Sequence, residues 1–234
     1  LRILTFFDPA CGCGNFLVIA YRELRRLELE VLRASHASGQ QFLDVHQLIR
    51  IDVDQFYGIE IEEFPAQIAQ VALWLIDHQM NLRVSEEFGL YFARIPLKTT
   101  PHIHCGNALR LDWNEVLPAE RASYVFGNPP FVGKQYQSAE QKADMAFVTA
   151  GAPGAGVLDF VTAWYFKASR YLASNSATRC AFVSTNSITQ GEQVGVLWGW
   201  LLAQGIHIHF AHRTFQWSNE ARGLAAVHCV IIGF

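Results

Sequence analysis

The sequence predicts an α/β fold with a mostly parallel, seven-stranded sheet, and two observations lead to this prediction. Short apolar runs alternate with longer segments whose apolar residues recur at helical spacing, which is typical of strands joined by crossover helices. The last two apolar runs follow each other without a helix between them, which predicts one antiparallel strand in the edge region of the sheet. Helices are then expected on both faces.

The first strand is predicted at Leu4 to Phe7, and a long amphipathic helix follows from Asn15 to about Ala37. Ser38 to Gln41 breaks this helix, and a short insertion runs on to Arg50. The later strands are predicted at 56–61, 103–105, 123–126, 180–184, 206–211 and 226–234, and the later helices at 63–80, 139–148, 159–172 and 194–203.

Length and composition indicate one globular domain, since 51% of the 234 residues are hydrophobic. The sequence begins at Leu1 inside an apolar run and ends on another, so we expect residues 1–234 to be a domain excised from a larger chain. The net charge of −3 predicts no general polyanion-binding surface, so nucleic-acid contacts must come from a local patch or from another part of the protein.

The cysteine pattern and the absence of a long apolar segment predict the compartment. The five cysteines are odd in number, scattered, and without a Cys-x-x-Cys pair, so we expect reduced thiols and neither a disulfide nor zinc. No apolar stretch is long enough to span a membrane, and the N-terminal residues do not have the pattern of a signal peptide. We therefore expect a cytoplasmic protein without a membrane partner.

A glycine-containing turn, Asp8 to Leu17, joins the first strand to the first helix and is the first candidate site. Ligands bind at this kind of turn in open α/β sheets. Gly12 and Gly14 allow the backbone to approach a ligand, and Asn15 can cap the helix. The carboxylate of Asp8 at the strand end favours a cationic or hydroxyl-rich ligand over a bare phosphate.

The turn sequence Asp-Pro-Ala-Cys-Gly-Cys-Gly resembles the cofactor motif of the Rossmann-like class I S-adenosylmethionine-dependent methyltransferases. The motif is most similar in sequence to that of the enzymes that methylate amino groups in DNA, although Cys13 stands where that pattern usually has Ser. The resemblance implies S-adenosyl-L-methionine as cofactor. It also implies the same seven-stranded fold, although the helix and motif that normally precede the first strand are absent from this sequence.

The second candidate site is Asn128-Pro129-Pro130-Phe131, directly after the fourth predicted strand and therefore at the same sheet edge as the first turn. The two prolines fix the backbone and leave the carbonyl of Pro129 as a rigid acceptor beside the amide oxygen of Asn128. Two fixed acceptors suit one NH2 group, which they hold in a geometry that favours attack on a methyl group. Phe131 offers a stacking face.

This segment matches the Asn-Pro-Pro-aromatic catalytic motif of enzymes that methylate a planar nitrogen, most often adenine N6 in DNA. The cofactor motif precedes the catalytic one, as in the gamma arrangement. The Pro-Cys nucleophile of cytosine-C5 enzymes does not occur in this chain, and cytosine-N4 enzymes more often have Ser in the first position of the motif. The resemblance therefore implies a flipped adenine in duplex DNA as substrate, without a metal.

Two further strand ends lie between these motifs. Glu60 can accept hydrogen bonds from ribose hydroxyls, Ile61 can lie on the adenine face of the cofactor, and Asn107 can pair with the adenine amine. The family usually has Asp at the position of Asn107, so Asn107 is a departure. The predicted cofactor-binding residues are Asp8, Pro9, Ala10, Gly12, Gly14, Asn15, Phe16, Glu60, Ile61, Asn107 and Ala108, and the predicted catalytic residues are Asn128, Pro129, Pro130 and Phe131.

The segment from Thr214 to Gly223 resembles a late family motif in which an aromatic side chain packs on the extruded base. Phe215 is the closer match, and Trp217 is the alternative. Together with the two earlier motifs, this stretch is similar to single-chain type II restriction-modification enzymes, in which one polypeptide carries nuclease, methyltransferase and target-recognition parts. The resemblance extends over nearly the whole chain.

Other functions are compatible with the same motifs. Related catalytic motifs serve enzymes that modify RNA adenine or a glutamine side chain, and a methyltransferase-like module without activity is a further alternative. The histidine pairs His102/His104 and His207/His209 each share one side of a predicted strand, but they lack a third ligand at a recognisable spacing. The stretch 151–156 lacks the Lys-Ser/Thr of a P-loop, and we expect a mobile loop there near the substrate.

Overall fold

The computed structural model describes residues 1–37, 49–88, 99–217 and 227–234. Two compact units make up the chain, Leu1–Gly106 and Asn107–Phe234. Predictions for 38–41, for most of the insertion before Arg50 and for 218–223 lie outside the described residues. Within the described ranges, no helix is both long and apolar enough to cross a membrane.

The first unit contains three parallel strands and two long helices. The strands are β1 (Phe6–Asp8), β2 (Phe56–Glu60) and β3 (His102–Cys105), in the order β3-β2-β1. The helices are α1 (Asn15–Ala37) and α2 (Glu63–Phe88). Because the strands are parallel, the ends of β1 and β2 bring Asp8 and Glu60 to the same edge of this unit.

A buried polar network fixes α1 against α2. The side chain of Arg25 is fully buried and donates to Tyr21 Oη at 2.7 Å, to Asp77 Oδ1 at 3.2 Å and to Asn81 Oδ1 at 2.9 Å. The hydroxyl of Tyr21 donates to Asp77 at 2.5 Å. A buried charge that lost one of these partners would carry a large desolvation cost, so the network holds the two helices in one register.

The second unit contains the other four strands. They are β4 (Tyr124–Gly127), β5 (Arg179–Thr185), β6 (Phe210–Trp217) and β7 (Val227–Gly233), in the order β4-β5-β7-β6. β4 and β5 are parallel, whereas β7 is antiparallel to both β5 and β6. The helices of this unit are α3 (Trp113–Val116), α4 (Ala139–Val148), α5 (Thr162–Leu172) and α6 (Gly191–Ala203).

An aromatic cluster forms the core of the second unit. The buried ring of Tyr165 on α5 contacts Phe182 on β5, Trp198 on α6 and Phe234 after β7, with ring centroids between 5.3 and 5.7 Å apart. Its hydroxyl group hydrogen-bonds to Ser184 Oγ at 2.8 Å. Burying these rings between helix and strand fixes β5, whose neighbour β4 leads into the predicted catalytic segment.

The predicted fold class is confirmed as a mostly parallel, seven-stranded sheet with helices and one antiparallel strand in the edge region. The helices at Asn15–Ala37 and Ala139–Val148 have the predicted bounds. The sixth strand was predicted wrongly, because it begins at Phe210 and continues to Trp217, beyond the predicted end at residue 211. Pairing with β7 extends it through a register irregularity between His212 and Phe215, which the apolar pattern does not show.

Candidate cofactor and catalytic sites

The turn after β1 has a backbone that only glycine adopts easily at two positions. Gly12 and Gly14 have φ values of 55° and 83°. A Cβ at Gly14 would lie 3.0 Å from Cβ of Ala69 on α2, whereas a Cβ at Gly12 would meet no heavy atom of the described residues within 4 Å. Gly14 therefore allows the turn to pack on α2, and Gly12 faces open space.

The start of α1 differs by one residue from the prediction. The N–H group of Val18 donates to the carbonyl of Gly14 at 2.8 Å, which makes Gly14 the N-cap residue. Asn15 is already the first helical residue and is exposed, so its predicted role as the cap is wrong. A glycine in the cap position lacks a side chain that would cover the first N–H groups of the helix.

The carboxyl group of Asp8 is deeply buried at the end of β1, with only 1% of the residue exposed. Its Oδ1 atom accepts a hydrogen bond from the Ala10 N–H at 3.0 Å. Burial raises the pKa of Asp8 to about 7, and the charge of Glu60 adds to the increase, while the bond from Ala10 opposes it. A cationic group placed beside Asp8 would therefore favour the ionised carboxylate.

Glu60 connects the end of β2 to the glycine turn. Its Oε2 atom accepts from the Gly12 N–H at 2.9 Å, and its Oε1 atom accepts from the Glu62 N–H at 3.0 Å. Each carboxylate oxygen has a further lone pair, so Glu60 can hold the turn and still accept a ligand hydroxyl. The adjacent Ile61 is 62% exposed and offers an apolar surface.

The other predicted residues of this turn differ in exposure. Pro9 is buried, and Ala10 and Phe16 are partly buried. Cys11 is buried, and its N–H group donates to the Ile59 carbonyl at 3.0 Å, which ties the turn to β2. The first unit therefore brings together the predicted residues that follow β1 and β2.

The predicted catalytic segment follows β4 in the second unit. Pro129 is buried, Pro130 is exposed, and Phe131 is partly buried. The Oδ1 atom of Asn128 is buried and has no hydrogen-bond partner within the described part of the chain. An acceptor that is buried without a partner costs about 1–3 kcal/mol, so its persistence points to a donor that arrives with a ligand.

Asp159 holds the chain that follows Phe131, and it is not among the site residues predicted from the sequence. Its Oδ1 atom accepts from the Lys134 N–H at 2.9 Å, and its Oδ2 atom accepts from Ser187 Oγ at 2.6 Å. The next residue, Phe160, donates its N–H to the carbonyl of Val132 at 2.9 Å. Asp159 was predicted as the start of a helix, but α5 begins at Thr162, which leaves Asp159 in the connection before this helix.

Asn107 also has partners that the sequence analysis missed. Its Oδ1 atom accepts from the Leu109 N–H at 2.9 Å, and its Nδ2 atom donates to Asp144 Oδ2 at 2.8 Å. Arg110 Nε donates to the other oxygen of Asp144 at 2.5 Å. The neighbouring Ala108 is buried. An aspartate on α4 thus contacts the residue predicted to recognise the adenine of the cofactor.

The predicted base-stacking residues lie on a strand. Phe215 is partly buried in β6 and pairs with Cys229 of β7, so it lies within the sixth strand, beyond the end predicted at residue 211. Trp217 is the last residue of the same strand. The stacking role of both residues stays a prediction.

The histidine and cysteine side chains of the described residues form neither a metal-binding group nor a disulfide. The ring of His102 stacks on Tyr57 with a centroid distance of 4.5 Å. Over the described ranges, no three His, Cys, Asp or Glu residues come together as a group that could hold a metal ion. All five cysteines are free thiols.

The strand plan, the glycine turn with its two carboxylates and the Asn-Pro-Pro-Phe segment define a class I methyltransferase domain. The family model described as "MmeI, DNA-methyltransferase domain" matches residues 1–234. The chain therefore belongs to the MmeI DNA-methyltransferase domain family.

Individual relatives agree with this assignment. The chain is 68% identical to the type IIL restriction-modification enzyme MmeI, solved in complex with DNA, with a TM-score of 0.94, and the match covers 99% of this chain and 31% of that one. It is 44% identical over 234 residues to DNA methyltransferase A of Bacillus subtilis, which covers 99% of this chain and 26% of the relative. It is 37% identical over 70 residues to the adenine-specific methyltransferase PglX of Streptomyces coelicolor, which covers 30% of this chain and 5% of the relative.

Proposed function

We propose that this domain transfers the methyl group of S-adenosyl-L-methionine to the N6 amino group of a flipped adenine in duplex DNA. The observation that carries the proposal is the Oδ1 atom of Asn128, which is buried and has no hydrogen-bond partner among the residues described. An exocyclic amine is a donor that satisfies this acceptor. The two prolines that follow Asn128 keep the acceptor in place while the base enters.

Asn128 acts on the geometry of the amine. The lone pair of an exocyclic amine is delocalised into the ring, which makes the nitrogen planar and a poor nucleophile. Acceptors at Asn128 Oδ1 and at the Pro129 carbonyl would hold both N–H bonds out of that plane and direct the lone pair toward the methyl group. Phe131 would hold the base by stacking.

The residues of the first unit fit the proposed cofactor. When bound, S-adenosyl-L-methionine supplies an electrophilic methyl group on a positively charged sulfur atom. Asp8 provides a buried carboxylate for a cationic part of the molecule, and Glu60 keeps lone pairs for its hydroxyls. The open space at Gly12 leaves room beside the backbone. Ile61 would contact the adenine of the cofactor.

We propose that target recognition comes from the rest of a larger restriction-modification chain. The sequence spans about a quarter of the Bacillus relative and about a third of the MmeI chain. Its net charge of −3 offers no general attraction for DNA. Because its substrate is DNA, we place the protein in the cytoplasm.

The alternative substrates are separated by the product. The complete protein, as its gene encodes it, would be incubated with the cofactor carrying a tritiated methyl group and with duplex DNA, RNA or a glutamine-containing peptide. Digestion to nucleosides and mass spectrometry should give N6-methyldeoxyadenosine, and from the duplex DNA alone. N4-methyldeoxycytidine, a methylated RNA or peptide, or cofactor binding without any transfer would contradict the proposal.

A further inference from the structure

Asn107 poses a problem of orientation. A side-chain amide carries an acceptor on one side and a donor on the other, and a rotation of 180° exchanges them. The family usually has Asp at this position, whose two oxygens are both acceptors in either orientation. If Asn107 is to accept a hydrogen bond from an adenine amino group, the protein must therefore determine which way its amide faces.

Asp144 determines this orientation. An ionised carboxylate only accepts hydrogen bonds, so it selects the amide nitrogen of Asn107, which donates to Oδ2 at 2.8 Å. The amide oxygen is thereby directed to the opposite side, where it accepts from the Leu109 N–H at 2.9 Å. This oxygen has a second lone pair, which a ligand donor can use.

The surroundings keep Asp144 itself in place. The residue is only 8% exposed, and its second oxygen accepts from Arg110 Nε at 2.5 Å. The guanidinium group of Arg110 lies 4.5 Å from the centre of the Phe147 ring, which is on the same helix α4. The first turn of α4 is fixed by a capping box between Ser138 and Gln141. The carboxylate of Asp144 is thus paired with the guanidinium group of Arg110, and its position on α4 is fixed.

We propose that Asp144 is a positioning residue for cofactor recognition, because it fixes the Asn107 amide with its oxygen toward the adenine amino group of S-adenosyl-L-methionine. The inference rests on the proposed function, since it takes that cofactor as the ligand. It explains how Asn107 replaces the Asp of related enzymes: the pair Asn107–Asp144 presents an acceptor as an aspartate would.

The test compares the binding of two ligands to the complete protein. Calorimetry would measure the dissociation constants of S-adenosylhomocysteine and of S-inosylhomocysteine, in which an oxygen replaces the adenine amino group. The wild-type protein should prefer the adenosyl compound by about 10-fold or more, because the inosine oxygen would face the oxygen of Asn107. In Asp144→Asn the carboxylate that accepts from the Asn107 amide nitrogen is lost, and only the bond from the Leu109 N–H still favours this orientation. The preference should therefore fall below about threefold.

A reciprocal exchange sharpens the test. Asn107→Asp alone places two carboxylates against each other and should weaken binding of the adenosyl compound. The double variant Asn107→Asp/Asp144→Asn restores the bond with donor and acceptor exchanged, and the preference should return to within about threefold of the wild type. Asp112→Asn is the matched control, because Asp112 caps α3 through Asn114 and should leave the preference unchanged.

The outcomes separate the inference from the proposed function. If the wild-type protein binds neither compound, the proposed cofactor is wrong. If it prefers the adenosyl compound but Asp144→Asn keeps that preference, or loses affinity for both compounds equally, Asp144 has only a structural role and the inference is overturned. Failure of the double variant to recover the preference, in a protein that melts like the wild type, would also overturn it.

Discussion

The glycine turn of the first unit and the Asn-Pro-Pro-Phe segment of the second differ in how their polar groups are satisfied. In the turn, the protein already binds the carboxylates, since Asp8 accepts from Ala10 and Glu60 accepts from Gly12 and Glu62. In the Asn-Pro-Pro-Phe segment, the buried oxygen of Asn128 has no partner within the described ranges. The glycine turn is held by its own hydrogen bonds, whereas the Asn-Pro-Pro-Phe segment has a buried acceptor that a ligand can use.

This difference indicates that the turn contributes mainly to binding and the Asn-Pro-Pro-Phe segment mainly to the reaction rate. A turn whose shape is fixed before the ligand arrives contributes mainly to binding, because little reorganisation is needed. A buried acceptor without a partner gains most when a donor arrives, and a gain that grows toward the transition state accelerates the reaction. Substitutions in the turn should therefore change the affinity for the cofactor, and substitutions in the Asn-Pro-Pro-Phe segment should change the rate of methyl transfer.

The largest effect is expected for Asn128→Ala. Loss of one fixed acceptor should lower the rate of methyl transfer by about 100- to 1,000-fold and leave the affinity for the cofactor unchanged. Asn114→Ala is a matched control, because it removes an amide that bonds to Asp112 and Ala119 away from the segment. The rate would be measured by tritium transfer to duplex DNA and the affinity by calorimetry. Methyl transfer by Asn128→Ala at the wild-type rate would contradict the proposed role of this segment in the reaction.

Phe131→Ala should have the next largest effect. Stacking of a base on an aromatic ring is worth roughly 1–3 kcal/mol, which corresponds to a loss of about 5- to 150-fold in kcat/KM for DNA. Phe131→Trp keeps a stacking face and should retain most of the activity. The measurement is the steady-state rate at varied DNA concentration, and equal rates for the two variants would show that stacking on residue 131 is not used.

Glu60→Ala should act on binding alone. Removal of this carboxylate loses the hydrogen bond from Gly12 and the proposed acceptor for ribose hydroxyls, so the dissociation constant for S-adenosylhomocysteine should increase by about 10-fold. Glu63→Ala, at the exposed start of α2, removes an equal charge nearby and should have no effect. At saturating cofactor, Glu60→Ala should methylate DNA at a rate close to the wild type. Equal weakening by the two variants would contradict a specific role for Glu60.

The smallest effect is expected for the stability of Asp8→Asn, and it depends on pH. Because burial raises the pKa of Asp8 from 3.8 to about 7, the folded state binds the proton more tightly than the unfolded state. Wild-type stability from this group therefore decreases as the pH rises from about 4 to 7 and is lowest above 7. The variant lacks this loss and should be more stable at pH 8 by at least about 1 kcal/mol.

Urea unfolding of the complete protein between pH 5 and pH 8 would measure this difference. Asp112→Asn gives a control of opposite sign, because hydrogen bonds from Asn114 lower the pKa of Asp112. The stability from Asp112 is present above its unfolded pKa and is lost as the pH falls, so its variant should be least stable relative to wild type at pH 8. A gain in the free energy of unfolding of Asp8→Asn that is constant across pH would show that burial does not raise the pKa of Asp8.

The sequence allowed prediction of the parts that depend on local pattern. Apolar spacing determined the bounds of Asn15–Ala37, and the helix predicted at Ala139–Val148 also has its predicted bounds. The structure adds the reason for the start of this helix, which is a capping box between Ser138 and Gln141. The partners Asp144 and Asp159 could not be predicted, because they meet Asn107 and Lys134 only after residues 37 and 25 positions apart are brought together by folding. The same is true of β6, whose length depends on its pairing with β7.

In the proposed mechanism, Asn128 supplies an acceptor for the amine of the target base. A structure of the complete protein with S-adenosylhomocysteine and a duplex containing its target adenine tests this claim most directly. We expect a flipped adenine on Phe131, with its N6 atom within hydrogen-bond distance of Asn128 Oδ1 and of the Pro129 carbonyl. A flipped base whose N6 atom contacts other groups, while a protein donor or a water molecule binds Asn128 Oδ1, would contradict it.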